Sequence, residues 1–120
     1  MINKSIVYDK AYRLAIRSIK LYRFLMKEEH EYLLSKQLMK CGTSIGANIA
    51  EANGAVSKAD FSSKISIAYK ECLETKYWLS LLKDTSYIDD SLYKDIFAEA
   101  DEIGKMLFSI IKTTRISTDH

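Results

Sequence analysis

Apolar residues return at alternating spacings of three and four in four separate stretches of this chain, a rhythm that leaves few folds other than a bundle of helices. In the first stretch, about Ser5 to Lys27, the stripe is Val7, Ala11, Leu14, Ser18, Leu21 and Leu25. The second, about Ser35 to Asn53, carries Leu38, Cys41, Ile45, Ile49 and Ala52. The third runs to about Lys83 through Phe61, Ile65, Ala68, Cys72, Thr75, Leu79 and Leu82. The fourth, to about Thr114, carries Leu92, Ile96, Ala100, Ile103, Leu107 and Ile110. With no Pro and only four Gly in 120 residues, long helices are permitted and a turn-rich sandwich or barrel is disfavoured.

The punctuation between the stretches agrees. His30-Glu31-Tyr32 reads as the first connection, and Gly54 is placed to end the second helix. Ser57, with Asp60 three residues later, is an acidic form of the capping box that opens the third. Thr85, Ser86 and Tyr87 form the next connection, and Asp89 caps the fourth helix, with acids early as the helix dipole prefers. Connections this short make neighbouring helices antiparallel. The expected fold is therefore all-α, an antiparallel up-down-up-down four-helix bundle in one domain over residues 1–120, with 117–120 as a frayed tail.

No apolar run approaches the roughly 20 residues needed to span a bilayer, and Met1-Ile2-Asn3-Lys4 leads into no signal-peptide core. A cytoplasmic protein with no membrane partner is the expectation. Cys41 and Cys72 match neither a zinc spacing nor a redox pair, so both are read as reduced thiols packed as small hydrophobes.

Two patterns mimic catalytic or metal sites. Gly42-Thr43-Ser44-Ile45-Gly46 matches the G-x-S-x-G string of a hydrolase nucleophile elbow, but the elbow needs a strand before it. Here helical periodicity runs through both sides, and His120 is the sole downstream imidazole. Glu51, Glu71 and Glu74 suggest a carboxylate-bridged pair of metals, yet such sites in bundles use Glu-x-x-His pairs, and His30 lies in a connection. Pairing with Lys, or solvation, is the expected fate of these carboxylates. Asn48, on or beside the inner face, is read as a structural hydrogen-bonding group. No metal, cofactor or catalytic residue is assigned, and the chain is read as no enzyme.

The first segment is the unusual one. Residues 1–27 hold seven Lys/Arg against Asp9, a net +6, whereas the rest holds eleven against fifteen Asp/Glu, a net −4. Lys10, Arg13, Arg17, Lys20, Arg23 and Lys27 follow helical spacing with no acid between them, a candidate nucleic-acid-binding ridge. Beside the seam, one residue on, runs a second apolar stripe. Its Tyr8, Tyr12, Ile19, Tyr22 and Met26 exceed what one seam can bury and suit a subunit interface. On the second helix Gly42, Gly46, Ala50 and Gly54 fall four apart, a nearly bare ridge. Interior Gly costs roughly 1 kcal/mol relative to Ala, which makes sense if another helix packs closely on Gly42, Gly46 and Ala50.

At Gln37-Leu38, at Ser44-Ile45-Gly46-Ala47-Asn48-Ile49-Ala50-Glu51 and at Ser57-Lys58-Ala59-Asp60-Phe61 the sequence resembles the 23S ribosomal RNA intervening-sequence proteins. The likeness continues through Ile67-Ala68, Glu71, Glu74-Thr75 and Tyr77-Trp78-Leu79, over nearly the whole chain. One departure is Ala52, where many members place Gly directly after the Glu. The resemblance implies a four-helix protomer, a ring-like homopentamer and no enzymatic activity. A related group, the accessory variability proteins of diversity-generating retroelements, is similar in fold and is thought to bind a reverse transcriptase and nucleic acid through basic surfaces. Two readings follow. One is a non-catalytic oligomeric binding module that contacts RNA, DNA or a nucleic-acid-processing protein. The other is a purely structural or protein-binding assembly with no nucleic-acid role.

Overall fold

The computed structural model describes residues 4–118, with side-chain surroundings for 6–114. Four helices account for nearly all of it: α1 (Lys4–Glu28), α2 (Leu34–Asn53), α3 (Lys58–Asp84) and α4 (Asp90–Thr118). α1 packs beside α2, α2 beside α3, α3 beside α4 and α4 returns to α1, while the α-carbons of neither diagonal pair come within 8 Å. The result is a four-cornered rod with extents of 51 × 22 × 20 Å, the length expected of helices of 20–29 residues at about 1.5 Å per residue. No helix among the described residues is long and apolar enough to cross a membrane.

The core is built from the four seams. Every seam residue expected from the spacing is buried except Phe61 and Leu92, which lie half-buried near helix starts. Ile88, in the last connection, joins the same cluster, so the bundle is plugged at that end. Leu14, Leu25, Leu38, Leu79, Leu82 and Leu107 are essentially inaccessible. Truncating a fully buried Leu to Ala costs about 2–5 kcal/mol, so each of these positions matters to a fold of this size.

Helix ends are fixed by specific hydrogen bonds. Ser57 Oγ accepts from the Asp60 N–H at 3.0 Å, and the Asp60 carboxylate accepts from the N–H of Val56, one residue before the cap, at 3.3 Å. Asp89 caps α4 by accepting from the Leu92 N–H at 2.8 Å. At the start of α2 the cap comes from farther back. Glu31, 8 % exposed, accepts from the backbone N–H groups of Leu33, Leu34 and Ser35. Burial pushes this carboxyl up, but the three N–H bonds outweigh it and hold the pKa below the ordinary value. α1 and α3 both stop on a left-handed residue, His30 (φ 53°) and Ser86 (φ 68°). After each, a backbone N–H reaches back along the helix, Glu31 by six residues to Leu25 O at 3.0 Å and Tyr87 by five to Leu82 O at 2.9 Å. This is the helix ending that glycine usually provides. Gly54 follows the last residue of α2 without a left-handed turn, at φ −102°.

Two expectations need correction. α4 continues through Thr118, so residues 117 and 118 of the expected tail are helical, and 119 and 120 lie outside the described residues. Ala50 is exposed, not part of the close-packed ridge. A row of residues spaced by four is inclined to the helix axis, so the row that meets α1 at Gly42 and Gly46 has turned away from it by Ala50.

Candidate functional site

The outer surface of α1 is set by how tightly its two neighbours hold it. On the α2 side, a β-carbon built on Gly46 would lie 3.7 Å from Ala11, an ordinary contact, but one built on Gly42 would stand only 2.8 Å from Ser18 Cβ. Only hydrogen fits at Gly42 without a shift. Ser18 is itself buried, with its hydroxyl donated to Leu14 O at 2.8 Å. Because Ala11 and Ser18 adjoin the second apolar stripe of α1, close approach there brings α2 beside that stripe.

The candidate interface residues are thereby divided. Tyr8 packs partly against the core, and Ile19, Tyr22 and Met26 are half-buried. Tyr12 remains 57 % exposed, tilted against Tyr8 with ring centroids 6.0 Å apart. The strongly exposed apolar residues of α1 are instead Ile6, Tyr12, Ile16 and Phe24. The sequence pattern placed the surplus one stripe too close to α2, because the two glycines allow α2 to cover more of α1 than a standard seam would.

On the α4 side the basic row is divided as well. Lys10 pairs with Glu102 at 2.9 Å. Arg17 forks between Asp95, at 2.9 Å, and Glu99. Arg13, Lys20, Arg23 and Lys27 are exposed, and among the described residues no carboxylate lies within ion-pair reach of them. Thus four of the six candidate cations are free and two are neutralised. Asp95, Glu99 and Glu102 follow the spacing of the α4 seam one residue before Ile96, Ala100 and Ile103. That stripe was a readable signal, although its target could be known only once α4 was placed beside α1.

The two patterns resembling reactive sites have structural roles. Ser44 lies inside α2 and donates to Lys40 O at 2.8 Å, so it sits on no strand-to-helix turn. Asn48 donates to Ser44 O at 2.8 Å. Glu51 pairs with Lys64 at 3.0 Å, and exposed Glu74 accepts from Trp78 Nε1 at 3.2 Å. Glu71 is half-buried, its carboxyl pushed up first by that burial and then by Glu74, with Lys40 opposing. Among the described residues no three His, Cys, Asp or Glu are grouped to hold a metal ion. Cys41 and Cys72 are free and buried, and burial pushes both thiols up to about 11. The Cys72 thiol donates to Ala100 O at 2.9 Å. Both sulfurs are thereby far from the thiolate form that makes a cysteine reactive.

The sequence profile of the 23S rRNA-intervening sequence proteins matches residues 3–109. The chain belongs to this family. Among solved structures it is similar to a protein of unknown function from the S23 ribosomal protein family of Bacteroides thetaiotaomicron VPI-5482. That protein is 50 % identical, with a TM-score of 0.89 over 91 % of this chain and 97 % of the other. No curated protein matches it. In this chain, the residues that carry the resemblance are largely accounted for by folding. Ile45 and Ile49 are core, Ser44 and Asn48 bond back along α2, Glu51 anchors Lys64 and Ser57 caps α3. The free cations of α1 lie outside that string.

Proposed function

We propose that this family member is a non-catalytic, cytoplasmic binding module that assembles as a ring-like homopentamer and contacts RNA or DNA through α1. The observation that carries the reading is the set of four exposed cations, Arg13, Lys20, Arg23 and Lys27, on one helix, with no ion-pair partner among the described residues. Repeated around a ring, such rows neutralise many phosphates at once. The protomer is an up-down-up-down bundle, and side-chain pairing supports this at each seam. Lys10 lies opposite Glu102 and Arg17 opposite Asp95; Ser18 lies opposite Gly42 and Ala11 opposite Gly46. Cys41 is beside Thr75 while Glu51 meets Lys64, and Lys76 meets Asp101 while Ser80 meets Tyr93. In each case the numbering runs in opposite senses.

A salt titration tests the contact. With Arg13, Lys20, Arg23 and Lys27 changed to Gln, folding is retained and affinity for RNA or DNA falls. Wild-type affinity drops with salt at a log–log slope of roughly 0.7–0.9 per phosphate neutralised. Changing Lys10 and Arg17 to Gln has a smaller effect on binding, because α4 already holds them. If wild type binds nothing at low salt, or the fourfold variant binds as well, the purely structural or protein-binding reading replaces this one. The neutralisation of Lys10 and Arg17 within the protomer is the observation that favours that second reading.

A further inference from the structure

Two aromatic rings share the outer face of α1 with its four free cations, Tyr12 at 57 % and Phe24 at 49 % exposure. At about 100° per residue they stand about 120° apart around the helix, and Arg13, Lys20, Arg23 and Lys27 all fall within the arc between them. Tyr12 follows Ala11, which meets Gly46, and so lies on the flank towards α2. Phe24 lies on the flank towards α4, in a cleft with Ile88 and Leu92. Along the axis the two rings are about 18 Å apart at 1.5 Å per residue. A positive ridge therefore runs between two rings, and from Tyr12 to Lys27 its arc holds no acid. Exposed Asp9 lies on the same face one turn before it.

Cations alone do not select between kinds of nucleic acid, since single strands and duplexes both offer rows of phosphates. The rings do. In a duplex the faces of the bases are stacked inside, and Tyr12 and Phe24 would meet only sugar, phosphate or water. An unpaired strand has free base faces, which stack on exposed aromatic side chains. Tyr8, packed partly against the core, backs the Tyr12 ring, so that ring is supported where it stands. Phe24 borders a cleft of about 560 Å³ whose walls include Glu29, Asp89 and Asp90. Carboxylates there repel a phosphate but accept hydrogen bonds from the amino group of a base. The ridge is also narrow, because Lys10 and Arg17 are already neutralised by α4, and one row of cations matches one backbone.

We infer that the nucleic acid contacted by α1 is single-stranded, with its phosphates along Arg13, Lys20, Arg23 and Lys27 and its bases turned to either side, onto Tyr12 and Phe24. Sequence preference is weak, because every base has a face to stack. This inference rests on the nucleic-acid reading above and goes further by naming the form of nucleic acid and the two residues that select it.

The test is a binding titration of the full chain with two labelled probes, a mixed-sequence strand of about 20 nucleotides and the same strand annealed to its complement, each as RNA and as DNA. Counterion release favours the duplex, which has the higher charge density, so tighter binding of the single strand at equal salt has to come from its bases. Wild type binds the single strand more tightly. Changing Tyr12 and Phe24 together to Ala lowers single-strand affinity at least about 5-fold, the loss of one stacked base at the low end. Duplex affinity and the salt slope stay as they were, because the cations are intact. Where that variant fails to keep wild-type helicity and melting, Tyr12→Leu with Phe24→Leu replaces it, retaining apolar bulk without the rings. Equal or tighter binding of the duplex by wild type overturns the inference and leaves the nucleic-acid reading standing, as does a double variant that loses nothing or loses equally on both probes. An altered oligomer mass in the double variant also overturns it, by assigning the rings to a contact between copies. A wild type that binds neither probe overturns the nucleic-acid reading, and this inference with it.

Discussion

Ser18 fills the space that a side chain at position 42 would need: a β-carbon there would stand 2.8 Å from Ser18 Cβ. The Ser18 hydroxyl is committed to Leu14 O, so it has little freedom to swing aside. Gly42→Ala should therefore push α1 and α2 apart and cost about 1–3 kcal/mol, the usual penalty of overpacking. Gly46→Ala should be neutral or stabilising by up to about 1 kcal/mol, since its β-carbon would meet Ala11 at an ordinary 3.7 Å. Thermal melts of the two variants check the contrast. Combining Gly42→Ala with Ser18→Gly should recover part of the loss, and equal melting of Gly42→Ala and wild type would rule out the contact.

The cap on α2 predicts a pH dependence. Glu31 has a folded pKa below its ordinary 4.5, because three backbone N–H bonds outweigh its burial. Its stabilisation is thus fully present above about pH 4.5 and is lost as pH falls through the folded value. Glu31→Gln should cost roughly 0.5–2 kcal/mol at neutral pH, in the range of a lost helix cap. Denaturant melts of both proteins should converge as pH drops below 4.5. A gap that stays constant with pH would mean that the carboxylate charge contributes nothing.

At the end of α3, Ser86 holds a left-handed conformation at φ 68°. For a residue with a side chain this costs roughly 1–2 kcal/mol, and glycine adopts it freely. Ser86→Gly should raise the unfolding free energy by about 1 kcal/mol, part of the gain being lost to the greater freedom of glycine in the unfolded chain. Chemical denaturation measures it. His30→Gly should gain less, because His30 Nδ1 lies 3.2 Å from the Tyr32 hydroxyl.

The parts of this fold that can be read from sequence are those set by spacing within one helix. The seams, and the caps at Ser57 and Asp89, depend on residues three or four apart, and the structure shows them where the spacing puts them. Glu31 was hidden because it caps from a connection, in which nothing local distinguishes it from a solvated acid. The division of the α1 cations depends on which face of α4 lies against Arg17, a relation between residues about 80 apart in sequence that no local pattern encodes. Likewise the second apolar stripe of α1 looked free until the close approach at Gly42 brought α2 over it.

Self-assembly is the claim on which the ring and the repeated cation rows both depend, and the mass of the wild-type protein in solution tests it most directly. Sedimentation equilibrium at micromolar concentration should return a mass near five times the 13.8 kDa of one chain, unchanged on moderate dilution. A mass of 13.8 kDa would contradict the account.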